Sequence, residues 1–269
     1  MTTLEGRSAL VTGGGSGIGL ACARRLVADG ATVTICGRTE GRLKEAADEI
    51  GSHWVVCDVT DEESVANAIS AAVENGGGLH IAVANAGGGR AAGPLVLNSL
   101  DGWNDTLAVN LTGTFLTIKH AAPAIGRSGG GAIVAMSSIA GALTHRHLGA
   151  YCVAKAGIEM LVRNAADELG TFGVRVNAVR PGLVPTDASA ALVLDEPTKQ
   201  DYLAQMPLGR TGTTDEIADA VRYLVGDESG WVTGQIFAVD GGHTVRRGPD
   251  LDHLIGQHFA AEVAALMGR

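Results

Sequence analysis

The chain has 269 residues, 46% of them hydrophobic and 18% charged, and it carries a formal net charge of −9 at pH 7. This composition excludes a disordered chain, and the acidic balance argues against a nucleic-acid partner or an anionic membrane surface. No segment approaches about eighteen consecutive apolar residues, and Glu5 and Arg7 interrupt any signal-peptide pattern. The cysteines form no C-x-x-C pair, which favours reduced thiols. We therefore expect a globular protein of the cytoplasm.

A glycine-rich loop follows the first predicted strand, which runs from Ser8 to Thr12. An amphipathic helical pattern comes directly after the loop. Strand, loop and helix in this order make a phosphate cradle, because glycine lets the backbone approach a pyrophosphate and the helix N-terminus supplies amide donors. The loop residues predicted to contact a dinucleotide are Gly13, Ser16, Gly17, Ile18 and Gly19.

The second predicted strand, Thr32 to Cys36, ends without an acidic residue and is followed by Arg38. Dinucleotide-binding folds place an acid near this point for the ribose of NAD, and a basic residue for the 2′-phosphate of NADP. Arg38 therefore favours NADP(H), with NAD(H) as the alternative. Glu40 is close enough in sequence to pair with Arg38, so an arginine with only a surface role stays open.

Polar residues follow the next two predicted strands. The third, His53 to Cys57, leads to Asp58 and Val59, and the fourth, His80 to Ala84, leads to Asn85. Read from the sequence pattern alone, Asp58 caps a turn. A long helix is predicted from Trp103 to Ile118, and Asn110 in its middle is a poor helix former that needs a local reason.

The fifth predicted strand, Ala132 to Ser138, and the helix that starts near Tyr151 hold the residues of greatest chemical interest. Tyr151 and Lys155 lie four positions apart, so a helix places a phenol and an ammonium on one face. Ser138 precedes Tyr151 by thirteen residues. In the loop between them, His145 and His147 are read as surface or pocket-lining residues, since two histidines do not complete a metal site.

The sixth predicted strand, Val174 to Val179, is followed by a proline-punctuated apolar region. Residues from about 183 to 213 are predicted to form a mobile lid over the substrate, and the apolar run from Ala188 to Leu194 suggests a substrate with hydrocarbon bulk. A further helix, Asp215 to Leu224, and a last strand, Gln235 to Val239, complete this part.

The segment 243–269 is predicted to be a helical tail. Pro249 and Asp250 resemble a helix start, and apolar residues recur at helical spacing from Leu251 to Leu266. An amphipathic helix of this kind buries its apolar stripe. Either the tail packs on its own body or it contacts a neighbouring subunit.

These motifs together resemble the short-chain dehydrogenase/reductase family over about residues 7–242, most of the chain. The resemblance is carried by the T-G-x-x-x-G-x-G loop, Asn85-Ala86-Gly87, Asn110, Ser138 and the Tyr151-x-x-x-Lys155 pair. It implies an NAD(P)-dependent oxidoreductase that transfers a hydride between the cofactor and a small carbonyl or secondary alcohol, working as a homotetramer or homodimer. A 3-oxoacyl thioester reductase, an NAD-dependent alcohol dehydrogenase and a non-catalytic dinucleotide-binding scaffold remain as alternatives.

The same resemblance assigns roles to single residues. Tyr151 supplies the proton, Ser138 hydrogen-bonds the carbonyl oxygen, and Lys155 lowers the Tyr151 pKa from about 10 toward 7. Asn110 widens its helix and holds a water that links Lys155 to solvent. Besides the glycine loop and Arg38, the implied cofactor contacts are Asp58, Val59, Asn85, Ala86, Gly87, Tyr151, Lys155, Pro181, Gly182, Val184 and Thr186.

The alternation of seven strands with helices predicts one α/β domain, residues 1–242, which includes the lid. The expected architecture is a Rossmann-like, doubly wound, seven-stranded parallel sheet with helices on both faces. Ligands bind such sheets at the carboxyl ends of the strands, where all the motifs fall.

Overall fold

The computed structural model describes residues 3–89, 91–245, 251 and 253–268. Within them, seven strands form one sheet in the order β3-β2-β1-β4-β5-β6-β7, and every neighbouring pair is parallel. The strands are β1 (Ser8–Thr12), β2 (Thr32–Gly37), β3 (His53–Val56), β4 (Ile81–Ala84), β5 (Gly131–Met136), β6 (Val174–Pro181) and β7 (Ile236–Val239).

Helices cover both faces of this sheet. Those of the described residues are α1 (Gly17–Ala28), α2 (Glu40–Ile50), α3 (Glu62–Gly76), α4 (Leu100–Leu107), α5 (Gly113–Arg127), α6 (Gly149–Leu169), α7 (Ala190–Leu194), α8 (Glu196–Gln205), α9 (Thr214–Val225) and α10 (Ala260–Leu266). None of them is long and apolar enough to cross a membrane. The predicted doubly wound architecture is confirmed.

The central strands are apolar on both faces because each face meets a layer of helices. Successive side chains of a strand point to opposite faces, so Leu10 joins one core cluster while Ala9 and Val11 join the other. The first cluster includes residues of α3, α5 and α6, and the second includes residues of α1, α2 and α9. The sheet therefore separates two cores.

The strand order reverses between β1 and β4, which opens a crevice at their carboxyl ends. Thr12 and Asn85 close the base of this crevice. The Thr12 hydroxyl accepts hydrogen bonds from the backbone N–H groups of Asn85 and Ala86, at 3.0 Å each. The Asn85 side chain donates to the Thr12 carbonyl at 3.0 Å. The glycine loop and the end of β4 are thus held together.

Two sequence-based boundaries were wrong. The predicted helix from Trp103 to Ile118 begins earlier, at Leu100, and ends later, at Arg127, and a π-helical turn, Ala108–Thr112, lies between its two parts α4 and α5. Strand β5 ends at Met136, so Ser138 follows the strand and begins a short 3-10 turn. In both places a side chain of the candidate site lies where regular structure breaks.

The tail also differs from the continuous helix predicted from Pro249 and Asp250, which lie outside the described residues. Leu251 is buried, a 3-10 turn spans Gly256–His258, and α-helix begins only at Ala260. Tertiary packing determines the structure of this segment more than its helical sequence pattern does, because Leu251 belongs to an apolar cluster with lid residues. The His253 ring lies 2.9 Å from the Thr198 hydroxyl on α8. This part of the tail therefore packs on its own chain.

Candidate active site

Helix α6 brings Tyr151 and Lys155 together as predicted. The Lys155 ammonium lies 5.4 Å from the centre of the Tyr151 ring. It donates a hydrogen bond of 2.7 Å to the Met136 carbonyl at the end of β5. Apolar residues of α6, among them Ile158 and Val162, bury the helix against the sheet and so fix both side chains at the carboxyl end of β5.

The two serines after β5 have different surroundings. Ser138 caps the 3-10 turn by accepting a 3.2 Å hydrogen bond from the Ala140 N–H, and its hydroxyl lowers the pKa of Tyr151. Ser137 instead donates to the Glu159 carboxylate at 2.9 Å. The structure therefore places Ser138, and not Ser137, beside the phenol.

Asn110 lies at the centre of the π-helical turn, fully buried. Its side chain donates to the Gly88 and Thr106 carbonyls at 2.8 Å and accepts from the Gly88 N–H at 3.1 Å. The turn thus provides the predicted local widening, and the amide ties α4 to the loop after β4. A Cβ on Gly87 would lie 2.6 Å from Asn110 Oδ1 and 3.4 Å from Lys155 Nζ, so only glycine fits between them.

Burial controls the ionisation of this group. Burial lowers the pKa of Lys155 to about 8 and raises the pKa of Tyr151. The Ser138 hydroxyl lowers the Tyr151 pKa and so opposes its rise. The expectation that Lys155 brings the Tyr151 pKa toward 7 is therefore wrong for the protein alone. The desolvation of the phenol outweighs the effect of the Ser138 hydroxyl, and the Lys155 ammonium is hydrogen-bonded to the Met136 carbonyl. At neutral pH the phenol keeps its proton and can donate it.

Replacing Lys155 by methionine should change how stability depends on pH. The folded chain holds the Lys155 proton only to about pH 8 and the unfolded chain to about 10.5, so between these values the unfolded state binds more protons. The wild type should gain about 3 kcal/mol in free energy of unfolding relative to Lys155→Met as pH rises through this window. Urea unfolding of both proteins at pH 7.5 and 10.5 measures the gain, and a constant difference would contradict it.

The glycine loop has the geometry of a phosphate cradle. Gly13 and Gly17 have positive φ angles of 66° and 54°, which other residues rarely adopt. A Cβ on Gly19 would lie 2.2 Å from the Gly13 carbonyl oxygen, so a side chain there collides with the loop. A Cβ on Gly17 would come within 3.3 Å of Thr186, across the crevice. The loop, the N-terminus of α1 and Thr186 therefore lie together at the carboxyl end of the sheet.

Other predicted cofactor residues surround the same edge of the sheet. Arg38 is exposed at the end of β2, and no ion pair joins it to Glu40 within the described residues. Asp58 caps a turn: its carboxylate accepts from the Thr60 N–H at 2.9 Å and the Thr60 hydroxyl at 2.8 Å. The remaining predicted contacts are Ser16 and Ile18 in the loop, Val59 after β3, Ala86 after β4, and Pro181, Gly182 and Val184 at the end of β6 and beyond.

Sequence reasoning missed a buried ion pair behind helix α6. Arg180 donates two hydrogen bonds to Glu159, of 2.9 and 2.7 Å, and the side chains are 16% and 7% exposed. The pair ties α6 to the end of β6, next to Pro181. Its one signal in the sequence is a carboxylate within the apolar stretch of α6, one turn after Lys155.

An apolar cluster lies over this end of the sheet. It combines residues from the turn after β5, the lid and the tail, namely Ile139, Leu183, Tyr202, Met206 and Leu251. Phe259 of the tail reaches the loop after β4, because a Cβ on Gly93 would meet its ring at 3.3 Å. A separate cavity at the amino ends of the strands, near Arg7 and Trp231, lies at the opposite edge from the glycine loop.

Comparison with known proteins gives the family. The model of the enoyl-(acyl carrier protein) reductase family matches residues 13–244. The chain is 40% identical over 247 residues to cis-4-hydroxycyclohexanecarboxylate dehydrogenase from Sinomonas cyclohexanicum, covering 88% of this chain and 96% of that protein. It is 38% identical over 247 residues to 2,5-dichloro-2,5-cyclohexadiene-1,4-diol dehydrogenase from Sphingobium indicum, covering 90% and 98%.

The solved structures agree with this result. A short-chain type dehydrogenase/reductase from Mycobacterium ulcerans matches with a TM-score of 0.94 and 40% identity, over 97% of this chain and 98% of that one. The segment that the family model matches contains the glycine loop, strands β2 to β7 and helix α6. The chain therefore belongs to the short-chain dehydrogenase/reductase family and is an NAD(P)-dependent oxidoreductase that acts on CH–OH groups.

Proposed function

We propose that this enzyme interconverts a secondary alcohol and a ketone on a small, partly apolar ring. The observation that carries this proposal is the apolar cluster of lid, tail and turn residues beside the Tyr151, Ser138 and Lys155 group. The relatives named for cyclohexane and cyclohexadiene alcohols support a ring of this size. A largely apolar pocket with few polar groups suits such a substrate.

Initial rates test the proposal directly. We expect reduction of cyclohexanone by NADPH or NADH, with kcat/KM above that for acetone, because the ring fills apolar volume that acetone leaves empty. Turnover of an acetoacetyl thioester together with inactivity on every ring ketone would overturn it.

We propose the following roles for the residues of the site. In reduction, Ser138 donates a hydrogen bond to the ketone oxygen and Tyr151 transfers its proton to that oxygen as the alcohol forms. The bound nicotinamide supplies the hydride. Lys155, held by the Met136 carbonyl, stabilises the tyrosinate that remains, and Asn110 keeps Gly87 and Gly88 in place beside Lys155. Return of a proton to Tyr151 completes the cycle.

The cofactor is proposed to lie in the cleft between the glycine loop and the segment after β6. Gly13, Gly17 and Gly19 leave room for the pyrophosphate, and the N-terminus of α1 offers amide donors to it. The other cofactor contacts are proposed to be the residues predicted from the sequence. The Asp58 carboxylate already accepts two hydrogen bonds from Thr60, which limits its contacts with the cofactor. NADP(H) is the proposed cofactor, on the basis of the exposed Arg38 at the end of β2.

Replacing Arg38 by alanine should weaken NADPH binding about tenfold or more and change NADH binding less than about twofold. The reason is that only NADPH carries the 2′-phosphate that the guanidinium would contact. Fluorescence titration with each cofactor gives both Kd values. Arg127→Ala, at the end of α5, is the matched control with no expected effect. Equal losses for both cofactors in Arg38→Ala would exclude Arg38 as the phosphate contact.

We also propose that the enzyme is a homo-oligomer. Phe115 of α5 and Val153 and Met160 of α6 are exposed apolar residues on two helices that pack together. Phe115→Glu should place a charge in the interface and reduce the mass measured by light scattering to that of a smaller species. Phe172→Glu, an exposed position in the turn after α6, is the control. A wild type of 27.4 kDa in solution would contradict the proposal.

The remaining parts are assigned as follows. Residues 1–242 are proposed as the catalytic domain, with a lid of about residues 183–213 that moves over the substrate, and residues 243–269 as a tail that supports the lid. The contact of His253 with Thr198 of α8 and the burial of Leu251 support this division. A cytoplasmic location is proposed because the four cysteines are free thiols.

A further inference from the structure

Two buried aromatic side chains near Tyr151 carry polar atoms that the protein itself does not use. Tyr202 of α8 is 3% exposed and His145 of the loop before α6 is 5% exposed. Their ring centres are 6.2 Å apart. The edge of a third ring, that of His243, packs against Tyr202 at 5.5 Å. The lid and the loop after β5 therefore meet at these rings.

The hydrogen bonds leave one donor and one acceptor available. His145 Nδ1 lies 3.1 Å from the Leu143 carbonyl, which can only accept a hydrogen bond, so Nδ1 carries the hydrogen and Nε2 carries a lone pair. Neither His145 Nε2 nor the Tyr202 hydroxyl makes a hydrogen bond to any residue that the structure describes. Neither atom is among the fully enclosed polar atoms without a partner in the described part of the chain, so both can be reached by a partner that is not part of the chain.

The position of the pair is next to the reacting group. Cys152, the neighbour of Tyr151, has its Sγ 4.0 Å from the His145 carbonyl. Burial raises the pKa of Tyr202, and repulsion from the Tyr151 oxygen adds to that shift, so the two phenols are close. Apolar residues such as Leu183 and Met206 surround Tyr202. The pair thus provides polar atoms in a wall that is otherwise apolar.

We propose that Tyr202 and His145 form a second polar subsite, which binds an uncharged hydroxyl group of the substrate at a carbon other than the reacting one. This inference rests on the proposed function and narrows its substrate class to ring alcohols and ketones with a second hydroxyl. A substrate hydroxyl can accept a hydrogen bond from the Tyr202 hydroxyl and donate one to His145 Nε2, so both protein atoms gain a partner. A carboxylate has no proton for Nε2, and its charge would be buried without a counter-ion.

The chemistry of His145 is consistent with an uncharged ligand. Burial lowers the pKa of His145, the bond to the Leu143 carbonyl opposes this shift, and the nearby His243 adds to it. His145 is therefore neutral at neutral pH and keeps Nε2 as an acceptor.

The test compares oxidation of trans-cyclohexane-1,4-diol with that of cyclohexanol. The wild type should prefer the diol in kcat/KM by about tenfold or more, because the second hydroxyl makes two hydrogen bonds and each contributes up to about tenfold. Tyr202→Phe should reduce this preference about tenfold, mainly through KM of the diol. His145→Asn keeps a donor for the Leu143 carbonyl and removes Nε2, and it should reduce the preference similarly. Tyr223→Phe, at an exposed tyrosine on α9, is the matched control and should leave the preference unchanged.

A binding measurement separates this proposal from the proposed function. Calorimetry on the Tyr151→Phe enzyme loaded with NADP⁺ compares the two ligands without turnover. Tighter binding of the diol, lost in the Tyr151→Phe, Tyr202→Phe double variant, would support the subsite even if no ring alcohol is oxidised. Equal affinity for the two ligands, or an unchanged preference in Tyr202→Phe, would overturn the subsite, while ring-ketone turnover would still support the proposed function.

Discussion

Replacing Tyr151 by phenylalanine should lower kcat for ketone reduction by about a thousandfold or more. The change removes the hydroxyl and keeps the ring against Lys155, so the packing of α6 is retained. The phenol is the proposed proton donor, and burial keeps it protonated at neutral pH. Without it, the alkoxide that forms on hydride transfer has only the Ser138 hydrogen bond and water to stabilise it.

Two measurements distinguish this loss from a structural one. Absorbance of NADPH at saturating ketone gives kcat, and fluorescence titration gives the Kd of the cofactor, which should remain within about fivefold. Tyr223→Phe removes a hydroxyl from an exposed ring that contacts Phe237 and should change neither value. A Tyr151→Phe enzyme that keeps a tenth of the wild-type kcat would show that another group donates the proton.

The framework of this site could be predicted from sequence because its signals are local. Strand β1 was predicted with its observed bounds, since an apolar run ends at a glycine loop on one side and charged residues on the other. Tyr151 and Lys155 share a face in any helix, so their proximity required no tertiary information. Asn110 was recognised as an anomaly within a helical pattern, and the structure contains a π-helical turn there.

Other features of the site depend on contacts between distant segments. Tyr202 and His145 are more than fifty positions apart in sequence and meet only because the lid folds back over the turn after β5. The direction of the Tyr151 pKa shift depends on burial, which residue spacing does not reveal. The tail likewise follows the lid surface rather than its own helical pattern, as the buried Leu251 demonstrates.

The largest loss of stability that we predict comes from Glu159→Gln. This change keeps the shape of the side chain and removes the charge that compensates Arg180, whose side chain is 16% exposed. Removing one partner of a buried ion pair leaves a desolvated charge, so the free energy of unfolding should fall by about 3 kcal/mol. Urea unfolding at one fixed protein concentration measures the loss, because an oligomer's stability depends on concentration.

An exposed ion pair provides the control for this effect. Arg24 and Glu49 are 2.6 Å apart with side chains about half exposed, and Glu49→Gln should cost no more than about 0.5 kcal/mol because water solvates the remaining arginine. The double variant Glu159→Met, Arg180→Met removes both buried charges and should recover most of the stability that Glu159→Gln loses. Similar losses in Glu159→Gln and Glu49→Gln would mean that water reaches Arg180. Recovery of stability without recovery of kcat would mean that the ion pair positions α6, and with it Tyr151, against the end of β6.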